Sequence, residues 1–237
     1  MKLHLIAALA AATFLFGACG SSDSKPASRP APPPGPAMQP PGAYSYATTG
    51  FERLSAVFSS THRYPARSTV EVTRTGCGYN ERWVPRAERS SESRFCVKPK
   101  LWRLDALVDY HEFFGQAVRQ RFACRGPYVP RPQVVKLGFR WTDRCRGAGS
   151  RVTVDYRAIA ERSLSVSGRP VRTVLIRARA VLRGRIDGVN LIESWLSRRD
   201  GLLVRREVRS ATAIDTPFGK IKDREQYRLG LASLTPR

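Results

Sequence analysis

Arg172-Thr173-Val174-Leu175-Ile176-Arg177-Ala178-Arg179-Ala180-Val181-Leu182-Arg183 is the stretch on which the fold reading rests. Val174, Ile176, Ala178, Ala180 and Leu182 share one face, and Arg177, Arg179 and Arg183 share the other. A two-residue period belongs to a strand with one dry and one wet face, whereas a helix would repeat its apolar residues every three or four positions. The same alternation recurs on both sides. Downstream, Leu202, Val204 and Val208 oppose Leu203, Arg205, Glu207 and Arg209, and Tyr227, Leu229 and Leu231 oppose Lys222, Arg224, Gln226 and Arg228. Upstream, Val70 and Val72 oppose Glu71 and Thr73. Trp102, Leu104, Ala106 and Val108 oppose Arg103 and Asp105, and Val152, Val154 and Tyr156 oppose Arg151, Thr153, Asp155 and Arg157.

Turn signals separate these runs: Thr75-Gly76-Cys77-Gly78, Phe114-Gly115, Arg146-Gly147-Ala148-Gly149, Ser167-Gly168, Asp187-Gly188, Asp200-Gly201 and Phe218-Gly219. Their number predicts an all-β domain over 43–237, a curved antiparallel meander of about 10–12 strands with little helix. Twist accumulates strand by strand, so such a sheet must close into a barrel, fold over itself, or wrap as a half-barrel. Each solution puts the apolar face on the concave side. One short amphipathic stretch, Phe51 to Ser59 with Leu54, Val57 and Phe58, reads as a helix that could cover an opening. Arg125 to Val135, with Pro127, Pro130 and Pro132, reads as an irregular loop.

The N-terminus is of another kind. Lys2 precedes a short apolar run from Leu5 to Phe16, followed by Gly17, Ala18 and Cys19, the layout of a secretory signal. The run falls short of the ~20 apolar residues that a membrane span needs. Phe16-Gly17-Ala18-Cys19 resembles a bacterial lipobox, with Phe16 where that motif usually carries Leu. The resemblance implies a lipoprotein signal peptide over 1–18, a lipidated Cys19, and an address on the extracytoplasmic face of the cell membrane. Secretion without lipid and an uncleaved anchor are the alternatives. From 19 to 42 follow Ser-Ser-Asp-Ser and then Pro30, Pro32, Pro33, Pro34, Pro36, Pro40 and Pro41, a semi-rigid tether that cannot bury a core.

The remaining four cysteines, Cys77, Cys96, Cys124 and Cys145, form an even set in a chain with a secretory signal, which reads as two disulfides. Of the three pairings, Cys77–Cys96 with Cys124–Cys145 is favoured, because each pair could flank a single hairpin. No CxxC pair is present and only His62 and His111 follow the tether, so no metal and no cofactor is expected. The net charge is +22 and is carried mostly by arginine. Nucleic acid is not the expected partner: the chain is exported, the arginines spread over nearly every strand, and recognition-helix and base-stacking motifs are lacking. A basic domain tethered to an anionic bilayer is drawn to it by about 1 kcal/mol per well-placed basic residue. A GC-rich codon bias would give the same composition with no function attached.

Catalytic groups are sparse. Asp109 and His111 alternate onto one face, which is half of a triad, but no Gly-x-Ser-x-Gly nucleophile elbow completes it. His111 therefore reads as a surface or strand-edge histidine, and no enzymatic activity is expected. Asp223 and Glu225 share the face of Tyr227, and Glu193 that of Leu191 and Trp195. Acids on an apolar face need partners. Internal Arg–Glu pairs near an open rim are the plain reading of these three, and polar anchors for a ligand headgroup are the sharper one.

Glu193-Ser194-Trp195-Leu196-Ser197-Arg198-Arg199-Asp200-Gly201-Leu202-Leu203-Val204-Arg205 resembles a hairpin of the lipoprotein-carrier superfamily that includes LolA-like and LprG-like envelope proteins. In those proteins an aromatic-bearing strand runs into an Asp-Gly turn and a strand opening with Leu and a basic residue. The resemblance implies a half-barrel around an apolar cavity, partly plugged by helices. Val174, Ile176, Leu182, Trp195, Val204, Tyr227 and Leu229 are then the candidate lining, and Glu193, Asp223 and Glu225 the candidate polar rim. The expected function is binding of a lipid-like ligand on the concave face by a membrane-anchored protein. The alternative is a structural lipoprotein whose basic face docks on anionic envelope polymer, membrane or a partner protein.

Overall fold

The alternating stretches all become strands. The structure, a computed structural model, describes residues 38–237 apart from 56–58, 114–115, 148 and 217–218. The stretch expected to be a signal peptide (1–18), Cys19 and the expected tether up to 37 lie outside the described residues. In chain order the strands are β1 (Gly42–Ser55), β2 (Ser59–Arg63), β3 (Arg67–Thr75), β4 (Gly78–Arg86), β5 (Arg89–Val97), β6 (Leu101–Phe113) and β7 (Gln116–Arg125). There follow β8 (Val129–Pro130), β9 (Arg140–Gly147), β10 (Ser150–Val166), β11 (Arg169–Gly184), β12 (Ile186–Ser197), β13 (Leu203–Thr216) and β14 (Gly219–Leu231). No helix occurs among the described residues.

Neighbours in sequence are neighbours in the sheet, and every pairing is antiparallel. The last strand returns to the first: β14 pairs with β1 from Tyr46↔Leu231 to Ser55↔Lys222. Twelve strands thus form a closed barrel instead of the half-barrel implied by the carrier resemblance. The two short strands are accessory. β2 lies along the second half of β1, in line with β3, which occupies the first half. β8 pairs with the opening residues of β6. Gly50 marks the point where β1 changes partner; its φ of +139° suits glycine, and a Cβ there would collide with the Gln226 carbonyl oxygen pressed against it.

Two expectations are corrected by pairing. Phe51 to Ser55 is not helical but continues β1, held between β14 and β2, because cross-strand bonding overrides a weak three-residue period; 56–58 lie outside the described residues. In β6 the register against β5 slips between Arg94 and Phe95. Beyond the slip, Leu107, Asp109 and His111 stand opposite Ser93, Ser91 and Arg89 and share their face, while Ala106 and Val108, in the other phase, are buried as well.

The interior is filled from both ends of the sequence. Tyr44, Tyr46, Val70, Val72, Trp83, Val174, Val204 and Leu229 are all buried in one cluster. The Trp83 indole stacks on Tyr227 at 4.2 Å and donates to Ser68 Oγ at 2.9 Å. A second cluster joins Leu104, Phe122, Val152, Val154, Ala178, Ala180 and Leu182. Disulfides link Cys77 to Cys96 and Cys124 to Cys145. The second sits where β7 and β9 share only three residue pairs, and it clamps the shortest ladder of the ring. A bridge of this loop size typically stabilises by about 2–4 kcal/mol. The outer face carries exposed charge, with Arg177, Arg179 and Arg183 on β11, Arg209 on β13 and Lys222 and Arg224 on β14, the reverse of a transmembrane barrel, whose outer band is apolar.

Candidate functional site: the barrel interior

A cavity of about 220 Å³ runs inside the barrel and is bounded by two unlike walls. The wall from β9 to β12 is apolar. It carries Val152, Val154, Ala178, Ala180, Leu182 and Ile192, and the small side chains at 178 and 180 leave the space open. Aromatic pairs flank it: Trp141 stacks on Tyr156 at 4.7 Å, and Phe95 on Trp102 at 4.9 Å. One acid interrupts this wall. Asp143 is 2% exposed, and burial lifts its pKa to about 6 against the lowering influence of a Tyr156 hydrogen bond and of Arg103.

The facing wall is charged. Arg206 on β13 donates to Glu81 on β4 at 2.9 Å and to Ser194 Oγ at 3.2 Å. Nearer one end of the barrel, Arg89 on β5 bridges Asp109 at 2.9 Å and Glu225 at 3.6 Å. Burial works against the charge of Arg89, but these two carboxylates outweigh it and hold its pKa above the ordinary value. The Tyr64 hydroxyl donates to Glu225, and burial followed by the Glu225 charge pushes its pKa up. Beyond this layer, away from the cavity, Arg86 and His111 both contact Glu52. Burial would raise the Glu52 pKa, yet the His111 hydrogen bond and the charges of Arg86 and Arg89 bring it below the usual carboxylate value. Asp223 goes the other way: burial, then the charges of Glu225 and Glu52, raise it to about 8. Ligand atoms of Glu52, His111 and Asp223 lie within 4.8 Å of one another.

Ile176, Leu182 and Tyr227 line the cavity, while Val174, Val204 and Leu229 are buried in the packed core beside it. Trp195 and Glu193 are corrected. On β12 the residues facing the inward Val174, Ile176 and Ala178 are Leu196, Ser194 and Ile192, which turns 193 and 195 outward. There Glu193 pairs with Arg177 at 2.7 Å, and Trp195 lies opposite Leu175 under the Arg162 guanidinium. Asp223 and Glu225 do face inward, at 8% and 7% exposure. His111 is likewise corrected: it is an interior residue, 8% exposed, and not a surface one.

Sequence reasoning missed Glu52, Glu81, Arg89, Arg206 and Asp143. Glu81 and Asp143 had a usable signal, since each falls in the apolar phase of its strand, with Tyr79 and Trp83 or with Trp141 and Cys145. Glu52 was hidden inside the stretch read as a helix.

No protein-family model matches the chain, and no curated protein does. Among solved structures it is similar to the crystal structure of the hypothetical lipoprotein YmcC from Escherichia coli (K12), with a TM-score of 0.30 and 13% sequence identity. The match covers 76% of this chain and 85% of that one. A likeness that distant transfers neither fold detail nor function.

Proposed function

We propose that the chain is a non-enzymatic binding protein, anchored through Cys19 on the extracytoplasmic face of the cell membrane, whose barrel holds one small amphipathic, lipid-like ligand. The observation carrying this reading is the two-walled cavity. An apolar body fits against Ala178, Ala180 and Leu182, and a polar head fits against the Arg206–Glu81 and Arg89–Glu225 pairs. A mostly apolar recess with a few convergent polar groups is the usual form of a small-molecule site. Its volume of about 220 Å³ lies below the ~300–1,000 Å³ of drug-sized pockets, which favours a single acyl chain over a two-chain lipid.

Native mass spectrometry of protein purified from its own envelope, paired with titration of a fluorescent fatty acid, tests this. The expected result is one hydrophobic molecule per chain. Ala180→Phe, which fills the space between the walls, is expected to lower affinity by at least about tenfold, with the fold retained by circular dichroism. A wild-type chain that neither co-purifies with nor saturably binds such a molecule overturns the reading.

A second reading rests on the outer face. Arg151, Arg183, Arg179, Arg209 and Arg224 stand exposed across β10 to β14, with Arg151 directly opposite Arg183. Such a ladder suits anionic headgroups or envelope polymer, and it is compatible with a ligand inside.

A further inference from the structure

The end of the barrel where β4, β6 and β13 finish holds more carboxyl groups than guanidiniums in its interior. Glu52, Asp223, Glu225 and Asp109 gather there against Arg86 and Arg89. Arg86 holds Glu52 Oε2, and Arg89 is divided between Asp109 and Glu225. Asp223 receives neither guanidinium. Among the described residues its Oδ1 has no hydrogen-bond partner, although the residue is only 8% exposed. An unpaired buried carboxylate oxygen is costly, and native structures rarely leave one without a reason.

The neighbours of Asp223 supply a reason. Ligand atoms of Glu52, which is fully buried, and of His111 lie with an Asp223 carboxylate oxygen inside a 4.8 Å circle. The three residues come from β1, β6 and β14, strands that only the closed ring brings together. Arg86 on Oε2 orients Glu52 so that Oε1 faces His111 Nε2. The His111–Glu52 contact is the one that an inserted ion would replace.

We propose that Glu52, His111 and Asp223 form a site for a divalent transition-metal ion, with Zn²⁺ the ion that suits it best. One imidazole and two carboxylates are borderline-to-hard donors, accepted by Zn²⁺ in tetrahedral or five-coordinate geometry, with the remaining positions left to water. Mg²⁺ and Ca²⁺ favour all-oxygen shells and are disfavoured by the imidazole. The ion gives Asp223 Oδ1 a partner and offsets the excess of carboxylates over guanidiniums. It lies outside the proposed ligand cavity, since none of its three ligands lines that space. The absence of CxxC and of paired histidines, which led the sequence to predict no metal, does not bear on a site assembled from three distant strands.

The experiment uses the full chain, stripped with a chelator and titrated calorimetrically with Zn²⁺, with Co²⁺ as a spectroscopic probe and Mg²⁺ as the comparison. One Zn²⁺ per chain is expected, with a rise in Tm on binding, because the folded state alone presents the site. Asp223→Asn and His111→Gln are each expected to lose at least ~10-fold in Zn²⁺ affinity. Asp223→Asn keeps the size and shape of a buried carboxyl whose ionisation burial disfavours, and should fold readily, so its result does not hinge on stability. Glu112→Gln, one residue along and exposed on the outer face, is expected to bind as wild type does. Failure of the wild type to bind Zn²⁺ stoichiometrically overturns the proposal. Unchanged binding in both Asp223→Asn and His111→Gln does so equally.

Discussion

The wall from β9 to β12 and the wall formed by β4, β5, β13 and β14 face each other across one cavity, but they are stabilised by different means. The first is mostly Val, Ala and Leu clamped by the Cys124–Cys145 bridge, with Asp143 its one acid and Asn190 and Ser194 its uncharged polar groups. The second is a set of buried ion pairs, Glu81–Arg206 and Arg89–Glu225, supported by Tyr64. Apolar packing tolerates small errors, because a lost methyl group leaves only a small void. A buried ion pair is all-or-none, since removing one partner strands the other in a medium that cannot solvate it. The interior therefore combines a forgiving wall with an exacting one, and substrate-like polarity is concentrated on the exacting side.

The largest consequence of this contrast is expected at Arg206. Arg206→Ala leaves Glu81, whose side chain is 6% exposed, buried without its cation, and should destabilise the fold by about 3–5 kcal/mol in urea unfolding. Joining it to Glu81→Gln should recover most of the loss. A single substitution no worse than an apolar truncation would mean that water reaches this wall freely.

A smaller effect, of opposite sign, is expected at Asp143. Its folded pKa of about 6 lies above the ordinary carboxylate value, so the folded state holds the proton more tightly than the unfolded chain does. Ionisation therefore costs stability above about pH 6, and the cost fades as pH falls toward the ordinary value near 4. Asp143→Asn can still accept the Tyr156 hydrogen bond. It should stabilise the fold by on the order of 2 kcal/mol at pH 8 and by almost nothing at pH 4, as read from denaturation midpoints across that range. A gain independent of pH would show that Asp143 is not the titrating group.

The smallest effect belongs outside the barrel. Glu193 and Arg177 form a pair whose side chains are 35% and 60% exposed. Glu193→Gln should shift stability by less than ~0.5 kcal/mol and leave fatty-acid binding untouched. A marked loss of binding would put Glu193 back at the cavity and discredit the β11–β12 register.

The sheet was legible in the sequence because its cause is local. Where one face is apolar and the other carries arginine, as in β11, the phase of the alternation could be read residue by residue. It failed in β12, where Leu191 and Trp195 offer one apolar phase and Ile192 and Leu196 the other. Only pairing with Val174 and Ile176 decides between them. It failed again at the β6 slip, since a bulge shifts the phase of the alternation without changing composition. The charged interior was the least legible part. Asp223 and Glu225 could be flagged as acids in an apolar phase, but their neighbours Glu52, Arg89 and His111 come from other strands and meet them only after closure. A long-range site of that kind leaves no spacing signature.

Closure through β1 and β14 also sets the order in which the molecule can be made. β1 is among the earliest barrel strands to be synthesised, and its partner from Tyr46 to Ser55 is the last. Until β14 arrives, the growing sheet carries two bare hydrogen-bonding edges, the features that invite pairing with other chains. Backbone bonds between Ala43 and Arg237 then tie the start of β1 to the residues beyond β14. The barrel is in effect a strap fastened by its final strand: a chain shortened at that buckle loses the closed ring, and with it the interior that both proposed sites require.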